Sequence, residues 1–116
     1  MPELPEVETS VRAIQDFSGQ ILQSISISNP NLRWLADTAG LEKIKDLQVQ
    51  SITRRAKYIL FNLSDQSVLL HLGMTGTIRI VNKNSNFYKK HDHVEFNFNN
   101  GKLIYNDPRR FGSIHL

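Results

Sequence analysis

From Val49 onward the chain is one strand-like run after another, each cut short by turn formers, and this limits the fold more than any other feature. We read strands near 47–54, 57–63, 67–73, 77–82, 93–98 and 102–106, separated by turn-like SDQ, GMTG and NNG. NNG between EFNF and KLIY predicts a hairpin, because Asn and Gly accept positive φ. Upstream, Ile25 and Ile27 alternate with Ser24, Ser26 and Ser28, the pattern of a half-buried strand. Ahead of that, Leu4, Val7, Val11, Ile14 and Phe17 recur at helical spacing, so an amphipathic helix is expected over 4–17, stopped by Gly19. Pro5 fits its first turn, where a missing N–H loses no partner. NPN at 29–31 is a turn, LEKIKDL at 41–47 suggests a short second helix, and YKKHDH after NKNSN reads as loop. The expected class is α+β, with an antiparallel sheet folded into a sandwich or partial barrel. The 116 residues suffice for one domain with a modest core, and no internal boundary or repeat is visible.

Composition narrows the chemistry. With no Cys, disulfides, thiolate zinc sites and cysteine nucleophiles are excluded. No apolar run approaches the roughly 20 residues of a membrane span, and the amino end carries no signal-like segment. We expect a cytoplasmic protein without a membrane partner. The net charge of +3 and a pI near 9.4 suit a polyanionic partner. The basic residues gather in three places: Arg54, Arg55 and Lys57; Lys89 and Lys90; Arg109 and Arg110.

The opening MPELPEVETS carries the sharpest chemical suggestion. Met before Pro is normally removed, which leaves Pro2 with a free secondary amine. Such an amine titrates near pH 8, well below a lysine, and is nucleophilic near neutrality. Its attack on a sugar C1′ gives a cationic iminium, an electron sink. Glu3 beside it is placed to move protons. Glu6, one turn on, lies where the helix amino end favours an anion. The same residues also make an ordinary helix start.

Three further stretches have two readings each. RRAKY at 54–58 is either a solvated basic edge or a phosphate contact in which Lys57 faces the amino end. HLGMTG at 71–76 puts Met74 in a tight turn, folded onto the core or exposed as a wedge for a base stack. NDPRRFG at 106–112 is a surface turn with Phe111 buried, or a loop whose Arg109 and Phe111 fill the hole left by an extruded base. His91 and His93 would share a strand face, but no third strong ligand is evident, so no metal site is expected.

Together, PELPEVET, RRAKY, HLGMTG, KHDHV and DPRRFG resemble the bacterial formamidopyrimidine-DNA glycosylase family, in its order and near its spacing. The resemblance implies an antiparallel β-sandwich flanked by an N-terminal helix and a short second helix. It implies base-excision repair of oxidised purines by a bifunctional glycosylase and AP lyase, acting on double-stranded DNA that contains a damaged purine or an abasic site. Carried over, Pro2 is the Schiff-base nucleophile, Glu3 the general acid, Glu6 a support of the catalytic centre, and Lys57 a phosphate contact and proton donor. His91, Arg109 and His71 contact DNA, while Met74, Arg109 and Phe111 fill the void. PELPE and this void-filling set favour the purine-lesion branch over the endonuclease VIII branch.

The family's helix–two-turn–helix module and four-cysteine zinc finger have no counterpart in 1–116. We therefore expect an isolated amino-terminal catalytic domain, monomeric and nucleoid-associated, with zinc belonging to the missing carboxy-terminal part and weak or no activity of its own. The competing expectations are a non-catalytic DNA-binding fragment and an unrelated β-rich binding domain.

Overall fold

The structure, a computed structural model, describes residues 4–116. Two antiparallel sheets face one another, as the α+β expectation requires. Helix α1 (Leu4–Ala13) and a 3₁₀ turn (Gln15–Phe17) precede β1 (Ile21–Ile27). Then follow α2 (Thr38–Glu42), β2 (Leu47–Gln48), β3 (Ser51–Arg55), β4 (Tyr58–Asn62), β5 (Ser67–His71), β6 (Thr77–Val81), β7 (Asp92–Phe98), β8 (Gly101–Asn106) and β9 (Ser113–His115). One sheet has the order β2-β1-β7-β8-β6 and the other β3-β4-β5-β9.

Strand alternation builds the core. Leu22, Ile25, Val94, Phe96, Phe98, Leu103 and Tyr105 face inward from the first sheet; Ile52, Ile59, Phe61, Val68, Leu70 and Ile114 face inward from the second. Phe61 and Phe96 stack across the gap with ring centroids 4.7 Å apart. Burial of two such rings contributes about 2–3 kcal/mol each.

Helix α1 buries Val7 and Val11 and packs on β3 and β4. The expected single helix over 4–17 instead tightens after Ala13 into the 3₁₀ turn. Three residues per turn keep Ile14 and Phe17 on one buried face, and Phe17 meets Phe98 edge to face at 5.0 Å. The second helix lies earlier than the expected 41–47. Asp37 caps it by accepting from the Gly40 N–H at 3.0 Å, and Leu47 already belongs to β2. The expected strand at 47–54 divides in two. β2 pairs with β1, β3 pairs with β4, and buried Val49 marks the crossing from one sheet to the other. The NNG hairpin forms between β7 and β8, but neither Asn adopts positive φ.

Two other crossings matter for the site. β5 lies in the four-stranded sheet and β6 in the five-stranded one, so HLGMTG bridges the sheets. β8 and β9 are split the other way, so DPRRFG bridges them in return. His71 pairs with Ser113 and Thr77 with Asn106, which sets both bridges side by side at one end of the sandwich.

Candidate nucleic-acid interface

The hairpin between β3 and β4 has a two-residue tip, Ala56–Lys57. Ala56 takes φ 52°, a left-handed conformation that costs a residue with a Cβ about 1–2 kcal/mol. Two contacts hold it there. The Arg54 guanidinium donates to the Ala56 carbonyl at 3.0 Å and to Glu8 on α1 at 2.7 Å. Arg54 thus ties the first helix to the tip rather than standing free for phosphate, and half-buried Lys57 is aimed by a braced backbone. Across the sheet Tyr58 pairs with His71, their rings 5.0 Å apart. His71 accepts the Gly73 N–H on Nδ1 at 3.0 Å. Burial, then the positive charge of Lys57, His115 and Arg33, pushes its pKa below the ordinary value. The ring is therefore held neutral, with its proton on Nε2.

Both sheet-bridging loops sit beside this histidine and touch through glycine. A Cβ on Gly73 (φ 69°) would lie 2.5 Å from the Gly112 nitrogen, and one on Gly112 would lie 2.3 Å from the His71 carbonyl oxygen. No other residue fits either place. The loops then carry their large side chains outward. Met74 is 48% exposed and Phe111 40% exposed, which settles the two-way readings against a core role for either. The Arg109 guanidinium lies 4.5 Å from the Phe111 ring centroid, a cation–π pair.

Asp107 lies beneath them, fully buried. Its carboxylate accepts from the Thr75 hydroxyl (2.6 Å), the Tyr105 hydroxyl (2.5 Å), and the Arg109 and Gly112 N–H groups (3.2 and 2.9 Å). Burial works against its charge, but these four donors prevail and hold its pKa below the usual range. Burial and that neighbouring carboxylate push the Tyr105 phenol well above its own.

His71, Met74 and Phe111 line one cleft of about 410 Å³ with Tyr58, Arg33 and Trp34. Sequence reasoning passed over the last two. Arg33 docks the 30–36 turn on the second bridge, donating its N–H to the Gly112 carbonyl at 3.0 Å. Trp34, 60% exposed, has the Arg33 guanidinium 5.6 Å from its ring. The available signal was the chain's one Trp, next to an Arg and just after a turn.

The remaining candidates are more scattered. Glu6 is exposed in the first turn of α1. Pro2 and Glu3 lie outside the described residues, and so does any relation of Lys57 to the amino end. His91 has φ 71° and accepts the Asp107 N–H on its carbonyl at 3.1 Å, so it props the second bridge. The HDH pair does not chelate. His93 is buried and donates Nε2–H to the Asp107 carbonyl at 2.7 Å, with its ring 6.3 Å from that of His91. Among the described residues no three His, Asp or Glu side chains gather as metal ligands. Without Cys, this chain cannot build a four-cysteine zinc site.

Residues 1–114 match the family described as the formamidopyrimidine-DNA glycosylase N-terminal domain. A formamidopyrimidine-DNA glycosylase of Alcanivorax borkumensis is 46% identical over 116 residues, covering 98% of this chain and 42% of that protein. One from Hydrogenovibrio crunogenus is 47% identical, covering 97% and 41%. The Lactococcus lactis enzyme, solved non-covalently bound to DNA with an AP site, superposes with a TM-score of 0.87 at 36% identity, covering 97% of this chain and 44% of that one. The same enzyme in complex with FAPY-dG DNA gives 0.87 at 36%, covering 97% and 43%. The chain thus spans about two fifths of the length of these relatives. Among the described residues, no helix is long and apolar enough to cross a membrane.

Proposed function

The chain belongs to the formamidopyrimidine-DNA glycosylase family, through its N-terminal domain, and from this we propose that it carries the lesion-facing half of a base-excision repair enzyme. Its partner is double-stranded DNA with an oxidised purine or an abasic site, met as a monomer at the bacterial nucleoid in the cytoplasm. The carrying observation is the pair of sheet-bridging loops, which present Met74 on one and Arg109–Phe111 on the other beside a neutral histidine.

In this reading the protruding side chains enter the base stack and occupy the space that the damaged nucleotide leaves. Arg109 hydrogen-bonds the orphaned base, and Phe111 wedges beside it. Lys57 and His91 engage backbone phosphates, and His71 donates its Nε2–H to DNA. With Met1 removed, the Pro2 amine attacks C1′ as the C1′–base bond breaks, and the base leaves with a proton. Glu3 protonates the sugar ring oxygen, so that the C1′–O4′ bond opens and leaves the iminium with a free 4′ hydroxyl, and Glu6 supports the centre. Loss of a C2′ proton from the iminium then expels the 3′ phosphate, a second elimination expels the 5′ phosphate, and Lys57 supplies protons.

Borohydride trapping on an abasic-site duplex tests this. A Met-free chain is expected to form a covalent adduct, and a version that retains a formylated Met1, which leaves no basic amine at the amino end, is expected to form none. Pro2→Gly is a poor control because Gly still offers an amine. Salt-sensitive binding without any adduct would leave a DNA-binding fragment. Intact mass shows which form is in hand.

A further inference from the structure

We propose that Asp107 is a positioning residue that locks the two sheet-bridging loops into one rigid wedge, so that Met74 and the Arg109–Phe111 pair enter a duplex as a single body. The inference rests on the proposed function for what the wedge enters, and on the geometry alone for the lock. Neither loop is self-sufficient. The first closes a turn through Gly76 N–H to the Leu72 carbonyl at 2.9 Å and sends its Thr75 hydroxyl out to Asp107. The second wraps the same carboxylate through the Arg109 and Gly112 N–H groups. One oxygen accepts from both loops: Oδ1 takes Thr75 and Arg109, while Oδ2 takes Gly112 and the Tyr105 hydroxyl.

The backbone of Asp107 is fixed as well. His91 accepts its N–H, and His93 donates to its carbonyl from the neighbouring strand. The carboxylate can therefore neither withdraw nor rotate without releasing donors on both loops. Behind it, Gly73 and Gly112 bring the two backbones together with no side chain between them to act as a cushion. Ionised, the group can only accept, which matches the four donors that reach it.

Thr75 is the place to test this, because it is exposed and its loss spares the core. The chain is labelled and its amide exchange followed by NMR in wild type, Thr75→Val and Thr75→Ser. Loss of one net hydrogen bond, about fivefold in an equilibrium, is expected to speed exchange of the Arg109 and Gly112 amides about fivefold in Thr75→Val, although the substitution lies on the other loop. Thr75→Ser, which keeps the hydroxyl, is expected to restore wild-type exchange. Binding is measured in parallel to a duplex with a tetrahydrofuran abasic-site analogue and to the intact duplex. Thr75→Val is expected to lose about fivefold on the first and nothing on the second. Exchange that changes only within 72–76 would overturn the lock. So would an equal loss of affinity on both duplexes. If wild type does not distinguish the duplexes while exchange still couples the loops, the lock stands and the repair reading fails.

Discussion

Two of the places where this molecule pushes large apolar side chains into solvent are built oppositely. Phe87 and Tyr88, 70% and 51% exposed, ride on the connection between β6 and β7, whose strands lie in one sheet. The backbone around Phe87 is held by short-range bonds, such as the Ser85 N–H to the Asn82 carbonyl and the Phe87 N–H to the Ser85 hydroxyl, and the ties to the sheet run through flexible side chains, Lys102 to the Ser85 carbonyl and the Tyr88 hydroxyl to Glu95. Met74 and Phe111 ride on loops that pass between sheets, meet at two glycines and share one buried carboxylate. Exposure of a large apolar residue is common and says little. Exposure on a support that cannot yield is what a tool for opening a base stack needs, since a soft tip would bend before the stack did.

The largest test of the contrast removes that support. Asp107→Ala leaves the Tyr105 hydroxyl and two N–H groups without their acceptor in a buried place. At about 1–3 kcal/mol for each unsatisfied donor, partly relieved by hydroxyl rotation and the exposure of Thr75, the expected loss is about 3 kcal/mol. The melting temperature should fall by about 10 °C or more. A loss below about 1 kcal/mol would mean the bridges brace each other without the carboxylate.

The connection between β6 and β7 has its own acid, and that acid makes a gentler test. Asp92 takes a two-pronged ion pair from Arg79 at 2.7 Å, the Lys89 N–H at 2.7 Å and the Asn106 amide at 2.8 Å. Burial opposes its charge, but the Arg79 pair and these donors win and hold its pKa at about 2, against an ordinary 3.8. The folded value is depressed, so its stability is fully present above about pH 4 and drains away as pH falls toward 2. Screened by solvent, the contribution comes to about 1–2 kcal/mol. Asp92→Asn should lose that amount at pH 7 and unfold in urea almost like wild type at pH 2. The Met74 and Phe111 loops should keep their amide protection in this variant, because the Asp92 carboxylate reaches that end of the sandwich only through the Asn106 side-chain amide.

How far the sequence discloses this division depends on the range of the interaction. Strands at 58–62, 67–71, 77–81 and 101–106 are visible because alternation is local. The break at Val49 is not, since a buried residue that carries the chain from one sheet to the other continues the same pattern. LEKIKDL placed the expected second helix too far along, because its cap, Asp37, lies four residues before that stretch begins. Motif by motif, HLGMTG and DPRRFG announce turns with apolar tips. That they are antiparallel bridges at one end of the sandwich follows from pairing His71 with Ser113 and Thr77 with Asn106, partners 42 and 29 residues apart. Asp107 looked like turn chemistry beside Pro108, and its burial under both loops is a tertiary fact. The positive φ angles at Ala56, His91 and Arg110 are likewise hidden, because Ala and Arg do not favour them and the enrichment of His there is too small to mark a single position. All three abut or are candidate DNA contacts, which is where strained backbone tends to be kept.

Ala56→Gly sharpens the same point on a smaller scale. Gly relieves the left-handed conformation, worth about 1–2 kcal/mol, and gives back about 0.4–1 kcal/mol through a freer unfolded chain. A net gain of about 0.5 kcal/mol in urea unfolding is expected. Affinity for an abasic-site duplex should nevertheless drop, because Lys57 then sits on a tip that swings. A tighter complex would show that the strain at Ala56 has nothing to do with aiming Lys57.

The smallest expected effect is the one that decides whether the two kinds of exposed aromatic differ at all. Phe87→Ser alters a side chain 70% exposed on a locally bonded segment, and stability should stay within about 0.5 kcal/mol of wild type. Phe111→Ser is also mild for the fold, since 40% of that residue is already exposed and its ring partner, Arg109, is itself an exposed residue. Matched in stability, the pair isolates the role of the support. Abasic-site affinity should be unchanged within about twofold in Phe87→Ser and clearly reduced in Phe111→Ser. Equal losses would mean that nucleic acid uses any protruding ring, and the bracing by Asp107, Gly73 and Gly112 would then serve the fold alone.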